Sequence, residues 1–313
     1  MTEPQSVVDL AGAVETRIQE SGIGRICVYH GGPETADAPP MLLVHSVNAA
    51  ASAHEMAPLY AHHARSRTVY AIDLPGFGQS ERRQRRHTPS LMCDAIGAVL
   101  AFIQARHGAA PVDAVALSLG SEFLARLAMH RPQAFRTLAL ISPTGLNARA
   151  AADGAGSGDR GVSWLRQLLG LPLLRDLLFS SLTSKVSIRY FLRRTWGGAG
   201  VPESLVEAAW RCSHQPGAVH APLDFLCGML FSRDMPSVYR ALLMPIWVAH
   251  GERGDFTDYS GLDELEARPN WSRRVYPGGA MPHFEFPAAF IDDHDRFLSR
   301  PGAANEVWRP GCA

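Results

Sequence analysis

The chain has 313 residues, 46% of them apolar and 19% charged, which is enough to bury a large core and excludes a disordered polymer. Thirty basic residues balance thirty acidic ones, so nothing electrostatic favours nucleic acid or an anionic membrane as partner. The five cysteines are odd in number and show no CxxC spacing, a pattern that gives neither a disulfide framework nor a zinc site.

Over residues 1–19 no basic segment precedes an apolar one, so no secretory signal is legible and a cytoplasmic chain is expected. Residues 25–30 predict an early strand, ended by Gly31-Gly32-Pro33, and 41–44 a strand apolar on both faces and therefore buried. Another strand is predicted at 68–72, running into the turn-rich loop 73–78. The short basic run Arg82, Arg83, Arg85 and Arg86 follows and reads as a solvated loop. Helical spacing over 91–106 leads to a strand at 112–117, a helix at 123–128 and a strand at 137–141. This alternation is that of βα units feeding a parallel sheet.

The pattern changes after 145. Residues 148–161 are rich in Ala, Gly and Asp, and from 162 to 243 the periodicity is helical throughout. Strand signals return at 245–249 and 273–276, and a closing helix is predicted at 287–298. The division expected is one α/β core, 1–145 with 243–313, interrupted by a helical cap at 146–242. The most apolar stretch, 165–179, is broken by Arg166, Gln167, Arg175 and Asp176 and is too short to span a bilayer. It is expected to sit on the core and roof a pocket.

Ala116-Leu117-Ser118-Leu119-Gly120 places a serine between small residues at a strand-to-helix junction. A serine lifted above a sheet edge needs a tight turn, and its neighbours two away must be small so that strand and helix can approach. The N-terminus of the following helix favours negative charge developing there.

With His45 after a buried strand, the run Asp73-Leu74-Pro75-Gly76-Phe77-Gly78-Gln79-Ser80 and Met281-Pro282-His283-Phe284-Glu285 near the end, the chain resembles the α/β-hydrolase superfamily over about 25–300. The resemblance implies a mostly parallel central sheet flanked by helices, with an inserted helical cap, and Ser118 as nucleophile. It also implies an acid in the loop after 246–249. Asp255 is assigned, with Asp258 second and Glu252 third. The family's catalytic histidine position holds Ala280, so His283, the second histidine of the pattern, becomes the candidate base, with His214 and His220 in reserve. Without a base a serine hydroxyl is a poor nucleophile, and losing a triad member costs on the order of 10⁴–10⁶ in rate. Oxyanion donors are expected from the N–H of Leu119 and from the backbone near Ser46 or Val47. The Ser46 hydroxyl and the Asn48 amide are further donors, unless Asn48 and Ser52 cap the next helix.

The function expected is a serine hydrolase acting on a carboxylic ester or related acyl compound with an apolar group. A small-molecule substrate is its partner, without cofactor or metal, and without nucleic acid or stable membrane insertion. The alternatives are a diverged binding or accessory protein on the same fold and a non-hydrolytic lyase. The remaining histidines, His54, His62 and His63 among them, have no carboxylate or cysteine at ligand spacing and read as structural.

Overall fold

The computed structural model describes residues 8–34, 38–147, 158–196, 200–255 and 257–300. Eight strands form one sheet: β1 (Val14–Glu20), β2 (Gly24–Gly31), β3 (Met41–Val44), β4 (Val69–Asp73), β5 (Val112–Leu117), β6 (Phe135–Ile141), β7 (Ile246–Gly251) and β8 (Trp271–Tyr276). Their order is β1-β2-β4-β3-β5-β6-β7-β8; β1/β2 and β2/β4 are antiparallel and every other pair is parallel. Strands β3, β4, β5 and β7 are buried at every residue, as a sheet covered on both faces requires. The edge strand β1, Val-Glu-Thr-Arg-Ile-Gln-Glu, was not predicted: it has no buried residue and too few apolar positions to show the alternation.

Helices α1 (Ala57–His63), α2 (Pro89–His107) and α3 (Gly120–His130) cross between strands. The longest, α2, starts where sequence chemistry puts it: Thr88 caps it by accepting the Leu91 N–H at 3.2 Å, Pro89 opens it, and Gly108 at φ 77° ends it. Two layers of core form, one around Val44, Ile72, Ala116 and Leu140, the other around Leu43, Leu117, Ile141 and Trp247. Alternate residues of one strand feed opposite layers, which is the period of two a strand dictates.

Between β6 and β7 the described chain is helical: α4 (Ser163–Leu169), α5 (Pro172–Leu182), α6 (Lys185–Trp196), α7 (Glu203–Ser213), α8 (His220–Leu226) and α9 (Met235–Arg240). Three short or terminal helices follow, α10 (Leu262–Glu266), α11 (Pro282–Glu285) and α12 (Pro287–Leu298). Neither α4 nor α5 has a fully buried residue; Trp164 is 66% and Leu173 90% exposed. The greasy stretch therefore does not sit on the core as its composition suggested, although Leu165 and Leu169 lean on Leu223, Cys227 and Met229. The arginine run is not freely solvated either. Arg85 donates to the carbonyls of Gly22 and Ile23 at 2.8 Å, Arg86 pairs with Asp159 at 2.9 Å, and Arg82 donates to the carbonyl of Gly78. No helix among the described residues is long and apolar enough to cross a membrane.

Candidate active site

At the end of β5 the backbone turns sharply: Ser118 has φ 52°, and its N–H donates to the Ile141 carbonyl of β6 at 2.8 Å. A left-handed conformation at a residue with a Cβ costs about 1–3 kcal/mol and is held only by its surroundings. Gly120 shows the constraint. A Cβ there would lie 2.3 Å from the His45 carbonyl oxygen, so α3 approaches the loop after β3 only with glycine at this position.

The loop after β3 is tied down by buried polar groups. His45, fully buried, donates from Nδ1 to the Ser46 carbonyl and accepts the Leu74 N–H at Nε2. Asp73, also fully buried, accepts from the Tyr29 hydroxyl and from the N–H groups of Ala53 and Gln79 at 2.7–2.9 Å. These bonds fix the loops on either side of the sheet edge relative to Ser118.

Ser118 is partly exposed and opens into a cavity of about 290 Å³. Around it stand Ser46, Val47 and Asn48, with Leu119 from the elbow and Ala280 and Met281 from the C-terminal loop. Apolar side chains from the helical segment complete the wall: Leu182, Ile188, Phe191, Leu192 and Leu205, with Phe225 and Phe231. The roof is thus made by α6 and α7 and the end of α5, not by the stretch 165–179.

Among the described residues the N–H groups of Val47 and Leu119 have no acceptor, and both residues border the cavity beside Ser118. Of the other candidate donors, the Ser46 N–H and the Asn48 amide are occupied, and the Ser46 hydroxyl serves as an acceptor. The Ser46 N–H donates to Glu55 Oε2 at 2.9 Å. The Asn48 amide donates to Glu55 Oε1 at 2.8 Å and to Ser46 Oγ at 3.1 Å. Asn48 does not cap the next helix; its Oδ1 accepts the Ala50 N–H at 2.7 Å in a local turn. Ser52 stands at the start of the short 3₁₀ turn Ala53–Met56 without a side-chain capping bond. Glu55, which nothing in the sequence singled out, is the hub of this loop.

The structure brings neither the assigned acid nor the assigned base to the cavity wall. His283 is buried on α11, and its Nε2–H donates to the Glu55 carbonyl at 2.8 Å; the cavity is bordered by Ala280 and Met281 instead. Because a carbonyl only accepts, the proton is on Nε2, and the Nδ1 lone pair is buried without a donor. Burial pushes this imidazole down to about 4, so it is neutral near pH 7. Asp255 is exposed and pairs with Arg194 of α6 at 2.7 Å. Asp258 accepts from the N–H and hydroxyl of Ser260, and Glu252 lies on the surface. The reserve candidates do no better: His214 is exposed and donates to the Trp210 carbonyl at 2.8 Å, and His220 is not part of the wall.

One imidazole does border the cavity. His54 donates from Nδ1 to the Asp9 carbonyl at 2.9 Å, which leaves its Nε2 as a lone pair. Residue spacing could not reveal it, since the oxygen that fixes its tautomer belongs to the backbone 45 residues earlier.

A second strained serine sits one strand over. Ser142 follows β6, precedes Pro143, and has φ 45°, although a residue before proline ordinarily takes an extended conformation. It is 3% exposed, borders the same cavity, and among the described residues its Oγ has no partner at hydrogen-bonding geometry. The Tyr259 phenol is pushed up to about 12 by burial against an opposing pull from Ser142, and stacks at 3.9 Å on His250. A dipeptide Ser142-Pro143 at a strand end was the available signal. Nearby, Glu122 in the first turn of α3 is pushed up to about 7 by burial. It accepts from the Thr144 hydroxyl at 2.6 Å and from the Ser232 N–H at 3.0 Å, which oppose that rise.

Comparison with known proteins agrees with this architecture. The family model described as the alpha/beta hydrolase fold matches residues 25–287. A search of curated proteins finds no match. Among solved structures, a probable hydrolytic enzyme from Pseudomonas aeruginosa is similar at 20% identity and a TM-score of 0.71, covering 94% of this chain and 96% of that one. The naproxen esterase from Bacillus subtilis gives 19% and 0.65, with 93% of each chain covered. A second carboxylesterase from that organism gives 15% and 0.64, with 92% of each covered. At such identities the likeness is one of fold.

Proposed function

The chain belongs to the alpha/beta hydrolase fold family, and on that premise we propose that it is a serine-dependent hydrolase of small carboxylic esters or related acyl compounds carrying an apolar group. The observation that carries this reading is the convergence on one apolar cavity of Ser118 on its strained turn and the two N–H groups of Val47 and Leu119 that lack acceptors. Such a pair of donors beside a nucleophile suits the oxyanion of a tetrahedral intermediate. The helical segment between β6 and β7 acts as the cap, and its Leu, Ile and Phe side chains take the apolar group.

His54 is the base in this scheme. The Ser118 Oγ bonds to the acyl carbon as its proton passes to Nε2 of His54, and the carbonyl oxygen takes up the negative charge between the two N–H groups. The bond to the leaving alcohol breaks as His54 returns the proton to it, leaving Ser118 acylated. A water then attacks the acyl carbon as its proton passes to His54, and the bond to Ser118 Oγ breaks as His54 returns that proton to Oγ, releasing the acid. The Asp9 carbonyl, rather than a carboxylate, orients the imidazole. A neutral orienting group stabilises the imidazolium less, which predicts slow turnover.

Fluorophosphonate labelling followed by mass spectrometry, together with turnover of p-nitrophenyl esters, tests the scheme. Labelling is expected at Ser118 and lost in Ser118→Ala; turnover is expected to fall at least a hundredfold in His54→Gln and to survive in His283→Gln. Labelling absent from the folded wild-type protein refutes the nucleophile, and unchanged turnover in His54→Gln refutes the base. A role in binding without turnover is favoured by one specific observation: Ala280 stands on the wall while His283 is held on the Glu55 carbonyl. In that case an apolar carboxylate or carbonyl compound binds with Ser118 unlabelled and no ester is cleaved.

A further inference from the structure

Away from the Ser118 cavity, the last turn of α1 meets α12, and three metal-ligating side chains converge there: His62, His63 and Asp295. Each presents a ligand atom, and these atoms lie within 4.8 Å of one another. The carboxylate lies between the two imidazoles, with Oδ2 at 3.0 Å from Nε2 of His62 and Oδ1 at 3.9 Å from Nδ1 of His63. We propose that this cluster is a zinc site, with His62 Nε2, His63 Nδ1 and an Asp295 oxygen as ligands and a water in the fourth position.

The donor set suits zinc. Two imidazoles and one carboxylate are borderline ligands, and bonds of about 2.0–2.2 Å in a tetrahedron put donor atoms roughly 3.3 Å apart. The separations seen here are within side-chain rotation of that figure. Access is also suitable: the His62 side chain is 32% and that of Asp295 47% exposed, whereas His63 is 3% exposed and fixed from behind.

What fixes His63 is a second imidazole. His63 Nε2 and His294 Nδ1 lie 3.0 Å apart, and fully buried His294 stacks on Trp247 at 5.5 Å. Zinc on His63 Nδ1 requires the ring proton on Nε2, where His294 Nδ1 stands at 3.0 Å to accept it. Metal-bound histidines commonly donate their other ring N–H to such a partner, which sets tautomer and orientation. As a whole residue His63 is 2% exposed, and the Arg67 N–H donates to its backbone carbonyl at 3.0 Å, which fixes the end of α1 here. The Arg67 charge is matched by Asp113 at 2.6 Å. The cluster joins residues 233 apart in the chain, so a bound ion would clamp α12 against α1.

The test is equilibrium binding of zinc to tag-free full-length protein, by isothermal titration and by metal analysis after gel filtration. One zinc per chain with micromolar affinity is expected, with a thermal midpoint that rises on adding zinc and returns with EDTA. His62→Gln and Asp295→Asn should each weaken binding at least tenfold, and His294→Phe should weaken it about 10–100-fold as loss of an outer partner does. His214→Gln, on the exposed histidine of α7's end, should bind as wild type. Cobalt in place of zinc should give the visible absorption of a tetrahedral site. No binding at 100 µM zinc overturns the proposal, and so does stoichiometric binding that neither His62→Gln nor Asp295→Asn weakens.

Discussion

His283 gives a prediction whose size follows from the structure. Its imidazole is fully buried, has a single backbone partner, and is held near 4 against an ordinary 6.5 by loss of hydration, the Glu55 carbonyl pulling weakly the other way. A depressed folded value means that between about pH 4 and 6.5 the unfolded chain binds a proton that the folded one refuses. The stability contributed is therefore complete above 6.5 and is lost as pH falls through that window. From pH 8 to pH 5 the loss from this one group is about 2 kcal/mol, out of a full span of about 3. Other buried groups titrate in the same range and with different signs. His294, pushed down to about 3, adds to the loss; Glu122, pushed up to about 7, opposes it, since its folded form holds a proton that the unfolded one has released. A comparison of variants cancels both. Urea unfolding of wild type and His283→Leu at pH 8 and pH 5 should show wild type losing about 2 kcal/mol more than the variant on acidification. At pH 8 the variant should be the weaker one by about 1–3 kcal/mol, because the Glu55 carbonyl loses its donor. Equal pH dependence in the two proteins would refute the claim that His283 is a buried neutral imidazole.

Ser142→Gly tests strain: glycine adopts φ 45° freely, so the thermal midpoint should hold or rise, and ester turnover, whose proposed steps do not use this hydroxyl, should be unchanged. A lowered midpoint would make Ser142 a packing residue instead. Asp113 is 1% exposed and accepts from Arg67 at 2.6 Å, from Arg136 at 2.5 Å and from Thr137 at 2.6 Å. Asp113→Leu leaves two largely buried guanidinium groups without their carboxylate and should cost about 3–5 kcal/mol in urea unfolding. A loss under about 1 kcal/mol would mean that water reaches the pair.

The architecture was legible because its determinants are local. Strands apolar on both faces, the change from alternating to helical periodicity after 145, and small residues flanking Ser118 are written within a few positions of each other. The two N–H groups proposed as oxyanion donors also follow from local signals, since Leu119 comes directly after the Ser118 turn and Val47 follows the buried strand β3 by three residues. Where local signals were weak, expectation failed: polar β1 did not look like a strand, and the apolar stretch 165–179, expected to sit on the core and roof the pocket, has no fully buried residue and lines no part of it.

What only the tertiary structure decided is which polar atoms are left over. Asp255 reads as an acid loop residue, but Arg194, 61 positions earlier on α6, takes it. His283 reads as the surviving histidine of the C-terminal pattern, but the Glu55 carbonyl, 228 positions away, holds its Nε2. His54 and the His62–His63–Asp295 cluster have no spacing to betray them, because their partners stand 45 and 233 positions away in the chain. Sequence sets the chemical type of each side chain and the backbone turn that presents it. A buried polar group bonds to whatever folding brings within about 3 Å, and that choice is made by packing across the whole chain.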